Sequence, residues 1–245
     1  MQLIPVLLVA VIPKMVAAAT PERHWALDLG GGIALATPAF SGSSRFVEFA
    51  EAGTISTRRT PRSGGAVEAG LWHAVSRHVG VAVLASSARR DAPGTFSASF
   101  PHPLYLDRPR AAAGTLPAGR LRETAIHVAL VWSAAWGGVT ARVSAGPSYV
   151  LAEADLVDEI LHTDAYPYDT VQVTGARTTP VRGDAVGGHA GVAFERRIGA
   201  RLAVSAGARF TRATIALQAG HDDTARTAET KAGGLTATAS LRLYF

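Results

Sequence analysis

Charged and histidine side chains recur at even spacings within apolar segments of this chain. If those segments are β-strands, even spacing places these side chains on one face, because successive residues point to opposite sides of a sheet. The polar faces predicted in this way carry nine ionisable residues: Asp28, Glu68, Glu123, His127, Arg142, His189, Glu195, Arg209 and Arg242. Both charge signs are present and an unpaired buried charge is costly, so the set predicts an internal network of ion pairs and hydrogen bonds. A narrow polar or proton-conducting path is the alternative use of the same residues.

Hydrolytic chemistry is the second possibility that these residue types raise. Glu123 and His127 lie four positions apart, which on a strand puts them on one face but roughly 13 Å apart, too far to share a metal ion directly. With Ser144 they would supply the serine, base and acid of a lipid hydrolase. The predicted inward position of His127 argues against a lipid substrate. The sequence therefore predicts no catalytic residue, no cofactor and no metal site.

A group of acidic residues lies further along the chain. It comprises Asp155, Asp158, Glu159, Asp164 and Asp169. Residues 155–161 are compatible with one or two helical turns inside a loop, and the acids with a divalent-cation site. A solvated acidic loop is the favoured interpretation.

Composition limits the compartment and the partners. Cysteine is absent, which excludes disulfides and cysteine-based zinc sites. The formal charge of +5 raises the question of nucleic acid, but no run of Lys or Arg exceeds two residues. Dispersed arginines are typical of a surface or a barrel interior, so no nucleic-acid partner is predicted.

The N-terminal segment resembles an export signal. A short apolar run over residues 3–12 precedes Ala17, Ala18 and Ala19, which are small residues suited to cleavage before Thr20. The run is too short for a stable transmembrane helix. We therefore expect a signal peptide over 1–19 and a single barrel domain over 20–245.

Strict alternation of apolar and polar residues marks the strands. In 235–245, Leu235, Leu241, Leu243 and Phe245 share one face, and Thr236 and Arg242 lie on the other. Seven more alternating segments occur, at about 25–35, 66–72, 79–85, 122–132, 139–151, 186–194 and 202–210. The pattern changes phase between Phe210 and Ile215, which predicts a bulge.

The connections between these segments alternate in length. Short ones lie near Ser76, Gly137 and Gly199, and long ones cover about 37–63, 90–119 and 153–183. Short periplasmic turns and long external loops are typical of transmembrane barrels. Closure of the last strand on the first would bring Arg242 to Asp28. Six aromatic residues fall near the expected membrane rims: Trp25, Trp132, Trp136, Tyr149, Tyr244 and Phe245.

The final strand resembles those of bacterial outer-membrane proteins. Leu241, Leu243, Tyr244 and Phe245 form the alternating apolar ending that, by this resemblance, the barrel-insertion machinery recognises. The chain as a whole resembles the small OmpA/OmpX-type barrels. The segments Phe100–Pro103, Asp107–Pro109 and Tyr166–Thr170 are similar to loop motifs of an uncharacterised outer membrane protein β-barrel domain family. The resemblance implies an outer-membrane location after passage through the periplasm, and it implies no catalytic residue.

These observations predict an all-β protein: a monomeric, antiparallel, up-and-down transmembrane barrel of about eight strands. Its expected role is structural or one of surface interaction, with membrane lipids around it and an extracellular partner at the loops. The alternatives are a lipid-modifying enzyme, a porin-like pore for small solutes and a soluble lipocalin-like barrel.

Overall fold

The structure, a computed structural model, describes residues 24–219 and 226–245. The predicted signal peptide lies outside these residues. Within the described residues, ten strands occur in chain order: β1 Trp25–Ala34, β2 Phe40–Glu48, β3 Glu51–Arg59, β4 Gly64–Ala74, β5 Val79–Phe100, β6 Arg110–Trp136, β7 Val139–Asp164, β8 Val171–Arg197, β9 Leu202–Ala219 and β10 Arg226–Tyr244. Among the described residues, no helix has the length and apolar composition needed to cross a membrane.

Eight of these strands form a closed ring. β1 pairs with β4 and β4 with β5, each strand from β5 to β9 pairs with the next, and β10 returns to β1. Every pairing is antiparallel. The predicted eight-stranded antiparallel barrel is therefore confirmed.

Short connections close one end of the ring, which we call the turn end. Ser76 lies between β4 and β5, Gly199 lies between β8 and β9, and Gly137 and Gly138 connect β6 to β7. These two glycines have φ angles of 56° and 83°, which residues with a Cβ rarely adopt. The predicted short turns are confirmed.

An apolar band covers the outer surface of the ring next to the turn end. Its exposed side chains come from all eight strands and include Leu29, Val67, Val83, Leu130, Val143, Phe194, Val204, Phe210 and Leu241. A continuous exposed apolar belt around a closed barrel fits the hydrocarbon of a bilayer. Trp25, Trp132, Trp136 and Phe245 are exposed near the turn end and Tyr149 further along the barrel, whereas Tyr244 is buried inside, so its predicted place in the rim is wrong.

The strands continue far beyond the apolar band. β6 and β8 each have 27 residues, about 60 Å of height at a tilt of roughly 45°, twice what a bilayer core requires. We call the outer part the extension; it comprises residues 40–59, 90–121, 153–184, 211–219 and 226–234, and it ends at the tip end. The long loops predicted at 37–63, 90–119 and 153–183 are thus wrong, since most of those residues are strand. The helical turns predicted at 155–161 are wrong for the same reason, because these residues lie in β7.

The hairpin of β2 and β3 completes the ring of the extension. β2 pairs with β10 and β3 pairs with β5, so the hairpin occupies the positions that β1 and β4 hold lower down. The links at 35–39 and 60–63 contain Pro38 and Pro61, which cannot donate a backbone hydrogen bond to a ladder. The first two strands of the barrel are therefore each broken once.

The faces of the strands exchange polarity where the extension begins. In the membrane part of β9, Phe210 faces outward and Arg209 inward; in the extension, Arg212 is exposed and Ile215 and Leu217 are buried. The pairing of β9 with β10 runs through this point without a register shift, so the predicted bulge is wrong. In the membrane part the outer face is apolar and the interior is polar. In the extension the outer face is polar and the interior is apolar.

Candidate functional site

A network of two acids and two arginines fills the interior near the turn end. Asp28 on β1 and Arg242 on β10 are directly opposed, and the guanidinium donates to both carboxylate oxygens. Arg242 also lies 3.2 Å from Glu195, which accepts from Arg142. The four charges sum to zero, as a buried cluster requires.

Aromatic side chains complete this network. The Tyr244 hydroxyl donates to Glu195 and accepts from Arg142 at 2.7 Å. The Trp72 ring lies beneath both guanidiniums, with its centroid 5.2 Å from Arg142 and 5.7 Å from Arg242. These contacts satisfy the charges from several sides and hold them in one arrangement.

Two further ion pairs lie between this network and the base of the extension. Arg209 approaches Glu68 at 2.9 Å, and Thr238 donates to Glu68 at 3.0 Å. Glu123 pairs with Arg90, which the sequence predicts to lie in a loop. Arg90 could have been found by continuing the inward face of β5 through Ser86 and Ala88.

The backbone of β10 takes part in the second of these pairs. The Gly233 N–H donates to Glu123 at 3.1 Å, and the Gly233 carbonyl accepts from Arg90 at 3.0 Å. Gly233 and Gly234 have φ angles of 101° and 98°. A Cβ on Gly233 would lie 2.3 Å from the Thr211 carbonyl oxygen, so only glycine allows this backbone conformation.

A chain of alternating hydroxyls and imidazoles crosses the same layer. His127 contacts Ser86 through Nε2 at 3.0 Å and Ser148 through Nδ1 at 2.8 Å, and Ser148 contacts His189 at 2.9 Å. None of these hydrogen bonds involves a carboxylate. A hydrolytic triad also needs an acid that orients the base, and this row of hydroxyls and imidazoles contains none.

The alternative triad of Ser144, His127 and Glu123 is not assembled. His127 is bonded to Ser86 and Ser148, while Glu123 is bonded to Arg90 and Gly233. Both side chains are buried on the same face of β6, and each has a different set of partners.

A cavity of about 30 Å³ lies between the ion pairs and the imidazole chain. Its polar lining comes mainly from Glu68, Arg90, Glu123, His127, Arg209 and Thr238. This volume admits about two water molecules and no solute of metabolite size. The cavity therefore fits a hydrated part of the network and does not fit a substrate pocket.

Apolar side chains fill the interior of the extension above this cavity. One cluster includes Phe40, Leu121, Val150, Ile215 and Leu217, which come from β2, β6, β7 and β9. A second, nearer the tip end, includes Ile55, Phe96, Phe100, Leu116 and Ile160 from β3, β5, β6 and β7. The first cluster joins β2 to β7 across the ring, and the second joins the adjacent strands β3, β5, β6 and β7, so apolar side chains occupy the interior at both heights.

Arg59 is a charged residue within this apolar region. It is 2 % exposed, and its Nη1 donates to the carbonyls of Ala92 at 2.9 Å and Pro117 at 3.2 Å. Burial lowers the pKa of Arg59, and the charge of Asp155 opposes this. Arg59 holds β3 to β5 and β6 at the base of the extension.

The acidic residues singled out in the third predicted loop do not converge. Asp155 accepts from the Arg120 backbone at 2.9 Å, Glu159 lies 3.2 Å from Arg177, and Asp169 lies 3.9 Å from Arg108. Asp164 lies elsewhere, 2.5 Å from Arg110. These acids have separate partners on the wall and at the tip of the extension.

Comparison with known proteins relates the fold to outer-membrane barrels. No family model and no curated protein matches the sequence. Among solved structures, the outer membrane protein OprG from Pseudomonas aeruginosa is similar at 8 % identity and a TM-score of 0.53, covering 91 % of this chain and 97 % of that one. Neisserial surface protein A is similar at 11 % identity and a TM-score of 0.45, covering 90 % and 97 %.

The outer membrane protease OmpT from Escherichia coli is also similar, at 9 % identity and a TM-score of 0.42, covering 94 % of this chain and 99 % of that one. Identities this low establish a likeness of fold alone. The chain has the fold of small bacterial outer-membrane β-barrels, and its exposed apolar band makes it a transmembrane protein of that type.

Proposed function

We propose that this protein spans the bacterial outer membrane as a closed barrel and acts by contact at the cell surface. The observation that supports this most strongly is the extension, a packed eight-stranded wall that rises well beyond the apolar band. A barrel that served only to anchor itself would need strands of about ten residues. The additional strand length presents a rigid surface away from the lipid.

The tip loop, residues 101–109, is the part of this surface best suited to a partner. Leu104, Tyr105 and Leu106 are 62, 54 and 76 % exposed. The buried His102 holds the loop, because its Nδ1 accepts from the backbone N–H groups of Leu104 at 3.1 Å and Tyr105 at 3.2 Å. An exposed apolar cluster on an ordered loop is typical of a protein-binding or surface-binding site.

The packed interior argues against transport. Ion pairs, the small cavity and two apolar clusters succeed one another along the axis. An eight-stranded barrel has an interior that side chains can fill, and these side chains do so. A role in which solutes pass through the barrel would require the clusters to separate.

The predicted barrel-insertion signal fits this proposal. Leu241, Leu243 and Phe245 face outward and are exposed, where a receptor can contact them, and Tyr244 faces inward into the ion-pair network. We therefore retain the insertion machinery as a partner of the C-terminal strand.

Adhesion of whole cells tests the proposed function. Gram-negative cells that lack adhesins would express the wild type or a Leu104→Ser, Leu106→Ser double variant. We would then measure attachment to immobilised matrix proteins, glycans and a layer of the same cells. The wild type should increase attachment to at least one of these surfaces, and the double variant should abolish the increase, because it removes the apolar contact.

An Ala111→Ser, Ala113→Ser variant, which changes two exposed residues on the wall of β6, is the matched control and should attach like the wild type. Attachment no greater than that of cells with an empty vector would refute surface contact. Stepwise ion conductance of the purified protein in planar bilayers would favour the pore instead, and release of fatty acids from lipid vesicles would favour the enzyme.

A further inference from the structure

Three potential metal ligands meet at the tip end of the extension. Glu48 ends β2, and His162 and Asp164 lie at the end of β7. Each offers one ligand atom, and these atoms lie within 4.8 Å of one another. β2 pairs with β3 and β10, whereas β7 pairs with β6 and β8, so the three side chains approach from strands that are not neighbours.

The hydrogen bonds of His162 direct its second nitrogen toward the acids. Nδ1 lies 3.2 Å from the Ile160 carbonyl oxygen, which can only accept, so Nδ1 carries the proton. In the neutral imidazole, Nε2 then has a free lone pair, and it faces a Glu48 oxygen at 3.3 Å. A lone pair facing a carboxylate oxygen is unfavourable unless a proton or a cation lies between them. A ring N–H bonded to a backbone carbonyl is also the usual second contact of a metal-binding histidine.

Glu48 supplies independent evidence for a cation site. Its other carboxylate oxygen, Oε2, is shielded from solvent and has no hydrogen-bond partner among the described residues. A buried carboxylate oxygen is expected to have a donor or a cation beside it. The Phe100 ring packs 4.4 Å from the His162 ring and fixes its orientation.

We propose that Glu48, His162 and Asp164 bind a divalent transition-metal ion, with Zn²⁺ as the representative. One imidazole and two carboxylates are ligands that Zn²⁺ accepts, and three protein ligands leave a fourth position for water. Arg110, which holds one oxygen of Asp164 at 2.5 Å, reduces the negative charge of the site to one and so limits its affinity. The bound ion joins the turn of the β2–β3 hairpin to the end of β7 at the tip end of the barrel. This site goes beyond the proposed surface contact and does not depend on it.

Calorimetric titration with Zn²⁺ tests the site. The protein would be folded in detergent, treated with EDTA and freed of chelator before the titration. We expect one Zn²⁺ per chain for the wild type, and binding weakened at least about tenfold in His162→Gln and in Glu48→Gln. Binding of Co²⁺ should also produce visible absorption in the wild type that both variants lack.

His78→Gln changes an exposed histidine at the turn end and is the control, which should bind like the wild type. A heat-dependent shift on a denaturing gel checks that each variant is a folded barrel. The proposal is refuted if the wild type takes up no Zn²⁺, or if both variants bind it as well as the wild type does. In that case Glu48 and His162 form an ion pair only.

Discussion

At the scale of single residues, the interior depends on arginines that each hold more than one partner. Arg242 contacts Asp28 and Glu195, and Arg90 contacts Glu123 and Gly233. Alternation in the sequence predicted the inward direction of most of these groups. It could not predict that Glu195 is shared between two arginines and Tyr244, because that sharing depends on the relative heights of three strands.

Replacement of Arg242 by Met should strongly destabilise the barrel. The change leaves Asp28 buried without its partner, which costs about 3 kcal/mol of unfolding free energy. Urea unfolding of the folded protein in lipid vesicles measures the loss. The Asp28→Asn, Arg242→Met double variant should lose less than the sum of the two single changes, because the interaction is shared.

Arg177→Met is the matched control for this measurement. Arg177 pairs with Glu159 at 3.2 Å on the exposed wall of β8, where an ion pair contributes less than about 1 kcal/mol. Equal losses for Arg242→Met and Arg177→Met would show that the interior network does not stabilise the fold.

At the scale of strands, the sequence correctly predicts the strands of the membrane part but not those of the extension. The segments with apolar residues outside and polar residues inside were assigned to strands. Beyond Phe210 the alternation continues with the opposite polarity, which in the sequence alone resembles a change of phase. Because alternation alone does not show whether water or lipid lies outside, the reversal could not be recognised without the neighbouring strands.

Gly233→Ala should destabilise β10 where its backbone bonds to Arg90 and Glu123. The residue has a positive φ and its Cβ would collide with the Thr211 carbonyl, so we expect a loss of about 2 kcal/mol in unfolding free energy. Gly65→Ala is the control, because a Cβ there has no atom within 4 Å. Similar unfolding midpoints in urea for the two variants would show that a Cβ at position 233 does not destabilise the fold.

At the scale of the whole molecule, the regions that the sequence predicts to be long external loops are the strands of the extension. The closed ring of eight strands and the short turns followed from the sequence. The height did not, because Gly, Pro and charged residues are common both in loops and on the outer face of strands in water.

Limited digestion of intact cells with trypsin distinguishes the wall from the loops. We expect resistance at Arg177 and Arg182, whose backbones are held in the β7–β8 ladder. Mass spectrometry of the fragments identifies the sites, and protein unfolded in urea serves as the fully cleaved control. Early cleavage at Arg177 on cells would indicate the loop that the sequence had predicted.

The pairing of β1 with β10 also determines when the barrel can finish folding. Asp28 and Arg242, which face each other across this seam, are 214 positions apart in the chain. Contacts at such separation are slow to form, because the intervening chain must be ordered before they give any stabilisation. Until the seam closes, the edges of both strands are open to pairing with other chains. Closure therefore waits for the last strand to be made, and the unclosed chain needs protection until then.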